Sequence, residues 1–238
     1  MRAAASPARR RRSAAATATI ALWLAGSAQA QWSGSATVES DYRLRGVSLG
    51  GGKPSVRLAV NYDAPRGWYA GAAATQSQLT PGDRYGQLLG YAGYVVPLAD
   101  ASLDLGATTW VFIGERRYDF SEASAGLLFQ SGALRLNWSP DYFGRRVQTL
   151  YVDASAHVPL AGGLRLIGHA GALVPLTSTA SPVPHVNRAR GDLRAGVGWS
   201  RREFDLSLAW SAASRGGPPP AGAVQRHGGW ELAGSWFF

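Results

Sequence analysis

Across 238 residues, apolar side chains make up 46% and charged ones only 16%, a balance that excludes an intrinsically disordered chain. The absence of cysteine excludes disulfides and thiolate metal sites. The formal charge of +9 does not imply a nucleic-acid partner, because Arg2, Arg9, Arg10, Arg11 and Arg12 all precede the first apolar run.

That N-terminal stretch is the first element in the chain. "MRAAASPARRRR" is a cationic n-region, "SAAATATIALWLAG" a short apolar core, and "SAQA" supplies small residues at Ala28 and Ala30. The pattern predicts a signal peptide over residues 1–30, cleaved between Ala30 and Gln31. Its core is too short for a transmembrane helix, which needs about 20 residues. Cleavage leaves 19 basic against 15 acidic residues, a net charge of +4, with Lys53 the sole lysine.

From residue 31 onward the recurring signal is alternation, the mark of strands with one apolar and one polar face. In "SVRLAVNYD", Val56, Leu58, Val60 and Tyr62 share one face, with Arg57, Asn61 and Asp63 on the other. "ALRLNWS", "DLRAGVGWS" and "FDLSLAWS" repeat the pattern, with Leu134–Leu136–Trp138, Leu193–Ala195–Val197–Trp199 and Phe204–Leu206–Leu208–Trp210 on the apolar faces. Twelve strands are expected, at 35–48, 54–64, 68–79, 87–98, 102–114, 121–131, 133–144, 146–160, 164–176, 190–200, 204–214 and 228–238. The third and fourth, "WYAGAAATQSQL" and "QLLGYAGYVVPL", leave their facing open, because both faces are apolar or small.

Connections alternate in length. "PRG", "ADA", "SG", "AGG" and "RRE" are tight, whereas "LGGGK", "TPGDRYG", "ERRYDF", "TSTASPVPHVNRA" and "RGGPPPAGAVQRH" are longer and polar. An even strand count with short periplasmic turns and longer outside loops is the pattern of an outer-membrane barrel. The fold expected is therefore all-β, a transmembrane antiparallel up-and-down β-barrel over residues 31–238. A secreted β-sandwich would alternate too. It is disfavoured by aromatics expected at an interfacial girdle (Trp68, Tyr69, Trp110, Trp138, Tyr151, Trp199, Trp230 and Trp236) and by polar faces rich in Gly, Ala and charge.

The stretch "SDYRLRGVSLGGGKPSV" and "GWYAG" at 67–71 resemble the TorF-type porin family, also catalogued as a proteobacterial envelope family of unknown function. The likeness continues through "GYAGYV", "RYDFSEASAGL", "SPDYFG" and "LYVDASAHVPL", over nearly the whole chain after residue 30. Gln87-Leu88 departs from it where relatives tend to carry an acidic residue. The resemblance implies an outer-membrane barrel of porin type and carries no catalytic or substrate-binding residues to transfer.

With apolar faces toward lipid, the lumen is expected to receive Asp41, Arg43, Arg45, Arg57, Arg135, Asp153, Arg165, Asp192, Arg194 and Glu231, together with Glu39, Asn61, Asp63, His157, His169 and Asp205. In "SDYRLRG", Tyr42 and Leu44 are expected outward. Two readings of the charged residues stand: a pore whose arginines attract anions, or Arg–carboxylate pairs that brace a narrow barrel. For Arg45-Gly46 the alternatives are a constriction residue, or a bend whose arginine pairs with a neighbouring carboxylate.

His157 and His169 are expected diagonally placed on one face, about 7–8 Å apart, too far to share a metal. His185 and His227 fall in outside loops. Ser155 is expected opposite His169, but on the lumen face, where a lipid ester does not reach. "GGGK" lacks the spacing of a phosphate loop. No enzyme activity, cofactor or nucleic-acid partner is expected. The expected partners are outer-membrane lipid, the barrel assembly machinery and small polar or anionic solutes. A non-conducting barrel acting through its outside loops is the alternative. The chain ends "GGWELAGSWFF", an alternating strand suited to close the barrel, with Phe238 as its expected assembly signal.

Overall fold

In the computed structural model, residues 31–80, 82–178, 186–218 and 227–238 are described. The signal peptide expected at 1–30 and His185 lie outside them. Twelve antiparallel strands close into a barrel: β1 (Trp32–Glu39), β4 (Ser55–Asp63), β5 (Trp68–Thr80), β6 (Asp83–Pro97), β7 (Ser102–Ile113), β8 (Phe120–Phe129), β9 (Gly132–Ser139), β10 (Thr149–Pro159), β11 (Leu164–Pro175), β12 (Arg190–Arg201), β13 (Phe204–Ala213) and β14 (Gly228–Phe237). Each pairs with its chain neighbour, and β14 pairs with β1. The remaining strands, β2 (Arg43–Leu44) and β3 (Val47–Ser48), form a separate two-stranded hairpin.

The alternation sets the facing. Val56, Leu58 and Val60 on β4, Leu134, Leu136 and Trp138 on β9, and Phe204, Leu206, Leu208 and Trp210 on β13 are exposed on the outer wall. Closure leaves no free edge on the sheet, so every ladder group can pair within it. Of the two strands of open facing, the fourth resolves with Leu88 outward and Gln87 buried inward, and the third with Tyr69 inward, bonded to Asp104. Glycine on the lumen side makes room for tyrosine rings. Tyr69 stands opposite Gly93 and Tyr91 opposite Gly71, and a Cβ at Gly93 would come within 2.6 Å of the Leu105 carbonyl oxygen.

Three expectations need correction. The strand expected at 35–48 ends at Glu39, and the chain then turns into the lumen as the β2–β3 hairpin. Tyr42 and Leu44, expected outward, lie inside, Tyr42 buried in an apolar cluster and Leu44 packed against it. The cause is the turn at Arg45-Gly46, where φ is 52° and 73°. Positive φ at both central residues is the type I′ geometry of a two-residue hairpin, so the chain reverses where a continuous strand was expected.

The second correction concerns "TPGDRYG". Asp83 to Gly86 belong to β6, pairing with the end of β5, rather than forming a long loop. The third concerns the girdle. Trp110 and Tyr151 are buried, and the Tyr69 hydroxyl donates to Asp104 Oδ1 at 2.6 Å inside the barrel. These aromatics fill the lumen. Of the expected girdle, Trp68 and Trp236 do lie on the outer wall at the short-turn end, against Tyr94 (ring centroids 4.8 Å apart) and Phe238 (4.9 Å), and Trp32 against Tyr62 (4.9 Å) joins them.

Candidate functional site

The hairpin is held in place by its own short-range bonds before it reaches the wall. Asp41 Oδ1 accepts from Ser48 Oγ at 2.6 Å and from the Gly52 amide at 3.1 Å. The Leu49 and Gly50 amides both donate to the Tyr42 carbonyl, at 2.6 and 2.9 Å. These bonds gather "SDYRLRGVSLGGG" into a compact unit. Burial pushes the Tyr42 phenol up from its ordinary pKa, so it stays neutral and accepts from Gln87 Nε2 at 2.9 Å.

Two charged contacts then tie the hairpin across the lumen. Arg43 bridges Asp41 (3.0 Å) and Glu231 on β14 (3.3 Å). Arg45 reaches Glu122 on β8 at 2.6 Å, with both side chains nearly fully buried, at 6% and 2% exposure. Its guanidinium also lies over the Tyr151 ring at 4.1 Å and near the Tyr142 ring at 5.3 Å. At the tip, Gly46 abuts β12 and β13: a Cβ there would sit 2.8 Å from Asp192 Cβ and 2.9 Å from Ala213 Cβ. Gly46→Ala is therefore expected to unseat the hairpin. Trypsin is then expected to cut the folded barrel after Arg43 or Arg45, and to leave the wild type uncut there.

Behind the hairpin, toward the loop end, the lumen holds an apolar core. Leu49, Leu79, Phe112, Tyr142, Phe143 and Leu173 are fully buried there, with Tyr118 and Phe120. Phe143 comes from the 3-10 turn Tyr142–Gly144 and stacks on Phe120 at 4.5 Å, and Phe120 stacks on Trp110 at 4.4 Å. On the other side of the hairpin lies a polar cavity of about 1150 Å³.

The wall of that cavity includes Arg43, Arg45, Arg57, Arg135, Asp153, Arg165, Asp192, Arg194 and Glu231. Asp41, expected to line the lumen, is buried within the hairpin segment and does not line the cavity. Arg57 faces Glu39 (3.7 Å), Arg135 faces Asp104 (3.4 Å), Arg165 faces Asp205 (2.7 Å) and Arg194 shares Glu231 with Arg43 (3.3 Å). Each of these arginines thus has a carboxylate within 4 Å, which cancels most of the field it would project into the cavity.

A polar cluster spans β10, β11 and β12. Ser155 stands opposite His169, and His157 opposite Ile167. His169 Nδ1 meets Ser155 Oγ at 2.9 Å, and Nε2 meets Asp192 Oδ1 at 3.1 Å. Tyr151 donates toward Asp192 at 3.2 Å and lies 2.9 Å from the same Nε2. Among the described residues, no group of three His, Asp or Glu side chains is placed to hold a metal ion.

Two anchors were missed in the sequence, Glu122 and Asp104. Both occupy inward positions of alternating strands, "FSEASAGLLF" and "SLDLGATTW", so the alternation alone could have found them. The partner each would take was not legible.

A closed antiparallel barrel with a polar lumen, an aromatic belt at the short-turn end and a first loop folded inward defines the class: the fold is that of outer-membrane porins. The chain belongs to the family Gcw_chp, described as a bacterial protein of unknown function, whose model matches residues 25–209. No curated protein matches the chain. Among solved structures it is similar to the KdgM porin, with a TM-score of 0.55 and 10% identity over 87% of this chain and 99% of that one. The KdgM porin in complex with disordered oligogalacturonate gives 0.52 and 9% over the same shares. At such identities the likeness is one of fold.

Proposed function

We propose that the mature chain is an outer-membrane diffusion pore for small polar solutes, with the β2–β3 hairpin as its constriction. The observation that carries this reading is the polar cavity of about 1150 Å³ inside a porin-type barrel, crossed by one hairpin anchored through side chains. In this arrangement the termini and short turns face the periplasm, and the long loops face outside. The resemblance of "SDYRLRGVSLGGGKPSV" to the TorF-type porins supports the same function, and that stretch forms the hairpin proposed as the constriction.

The pairing of Arg57, Arg135, Arg165 and Arg194 bears on selectivity. An anion entering the cavity meets guanidinium groups already neutralised, so small polar solutes fit better than anions. Reversal potentials in a KCl gradient are expected close to zero. Arg57→Glu with Arg165→Glu should shift them toward cations; no shift would place both side chains off the conducting path.

The apolar core at the loop end favours a second reading, a barrel that does not conduct and acts through its outside loops. Planar-bilayer recordings of refolded protein separate the two. A channel in the wild type supports the pore, whereas a channel that appears only when residues 41–52 are replaced by a short glycine turn supports the non-conducting barrel. Silence of both at high salt leaves the non-conducting barrel.

A further inference from the structure

The outward stripe of β12 runs Leu193, Ala195, Val197, Trp199, Arg201, passing from aliphatic to aromatic to cationic. Successive members are about 7 Å apart along the strand. This is the order of chemistry met on crossing from hydrocarbon through the interface to headgroups. The chain then turns through Arg202 and Glu203, and the outward stripe of β13 begins at Phe204, beside Trp236 of β14.

On the outer wall at this turn, Trp199, Arg201, Arg202, Glu203 and Phe204 bound a cavity of about 290 Å³. The arginines that line the lumen cavity each have a carboxylate partner. Here, among the described residues, none of the three charged side chains makes an ion pair or hydrogen bond with the protein. Arg202 also has φ of 52°, a left-handed backbone in which glycine would sit without steric cost. The turn therefore holds an arginine where local geometry favours its absence.

We propose that this cavity binds the headgroup of a phospholipid bearing a phosphate and a primary ammonium. Arg201 and Arg202 take the phosphate, Glu203 takes the ammonium, and Trp199 and Phe204 flank the start of the acyl chains. Guanidinium groups suit phosphate because their fork donates two parallel hydrogen bonds, and a carboxylate is the matching acceptor for an ammonium. The site rests on the barrel lying in a membrane with its short turns at the periplasmic headgroups, but not on whether the barrel conducts.

The test is lipid retention by the folded barrel in detergent, followed by native mass spectrometry during titration with phosphatidylethanolamine, phosphatidylglycerol and phosphatidylcholine. Wild type is expected to retain phosphatidylethanolamine best. Arg201→Gln with Arg202→Gly should lower that retention about tenfold, the loss of one to two charge-assisted bonds. Arg202→Gly relieves the turn, so the variant should fold at least as well as wild type. Glu203→Gln should reduce phosphatidylethanolamine to the level of phosphatidylglycerol.

Equal retention by wild type and the double arginine variant would overturn the site and leave only annular lipid. Equal retention of phosphatidylcholine, whose capped ammonium donates no hydrogen bond, would overturn the part assigned to Glu203. Conductance recorded from the same wild-type preparation keeps the two readings apart: silence with selective lipid retention counts against the pore and for this site.

Discussion

Glu122→Ala is expected to raise conductance more than any other single change in the lumen. Glu122 is the carboxylate paired with Arg45, and both side chains are buried. Removing it leaves a desolvated guanidinium without a counter-ion, which costs about 3–5 kcal/mol. The barrel has no need to absorb that cost, because Glu122 projects inward and the β8 ladder is unaffected. The hairpin absorbs it by leaving the lumen as a unit, carrying Arg45 to water. A shift of 3–5 kcal/mol changes the ratio of hairpin-in to hairpin-out by at least about a hundredfold. Arg45→Ala should act more weakly: it removes the charge that must be solvated, although Glu122 is then left unpaired. In Arg45→Ala with Glu122→Ala neither charge remains, so the double variant should open less than Glu122→Ala alone, and the cycle isolates the pair. Single-channel conductance reads the effect, and heat-modifiable migration reports barrel integrity. An intact barrel with unchanged conductance in Glu122→Ala would remove the hairpin from the role of constriction.

Deleting Phe238 is expected to impair assembly more than it alters conductance. The β1–β14 seam is the shortest ladder of the barrel, with five paired positions from Ser35↔Phe237 to Glu39↔Ala233. Phe238 extends it by two backbone bonds, its amide to the Gly34 carbonyl at 3.0 Å and the Gly34 amide to its own carbonyl at 2.7 Å. Its ring lies on Gly34 and beside Trp236. Two bonds at a net 0.5–1.5 kcal/mol each, plus the ring contacts, amount to about 2 kcal/mol on the strand pair that closes the barrel. Phe238→Leu separates stability from signalling, because it keeps both backbone bonds. If the ring is the assembly signal, Phe238→Leu should refold normally in detergent yet yield much less heat-modifiable barrel in the outer-membrane fraction of cells. Equal yield of Phe238→Leu and wild type in cells would reduce Phe238 to a seam residue.

Glu122→Ala and Gly46→Ala both report on how the hairpin is seated, loss of Phe238 on the seam, and the lipid experiment on the outer wall.

Much of the barrel was legible in residue order alone. Side chains on a strand alternate with a period of two, and in a barrel that period divides lipid from lumen along every strand. Val56–Leu58–Val60 and Phe204–Leu206–Leu208 therefore declared their facing without reference to any partner, and the alternation of short and long connections declared the topology. Charged residues were confined to one face by the cost of placing them against hydrocarbon. Hence Arg57, Arg135, Arg165 and Arg194 could be assigned a side of the sheet before any contact was known.

Only the closed structure decided what those residues meet. A lumen hairpin alternates as faithfully as a wall strand, so "SDYRLRGVS" reads the same in either place; its direction was set by two positive φ angles at Arg45 and Gly46. Trp110 and Tyr151 resembled girdle aromatics because position near a strand end is local, whereas facing an apolar plug is not. The Arg45–Glu122 contact joins residues 77 apart in the chain. Its existence depends on barrel closure, strand stagger and the hairpin's reach together. Facing is a local property, determined by the order of residues along each strand. Partnership across the lumen is global, and only the tertiary structure, by closing the sheet and folding its first loop inward, could decide it.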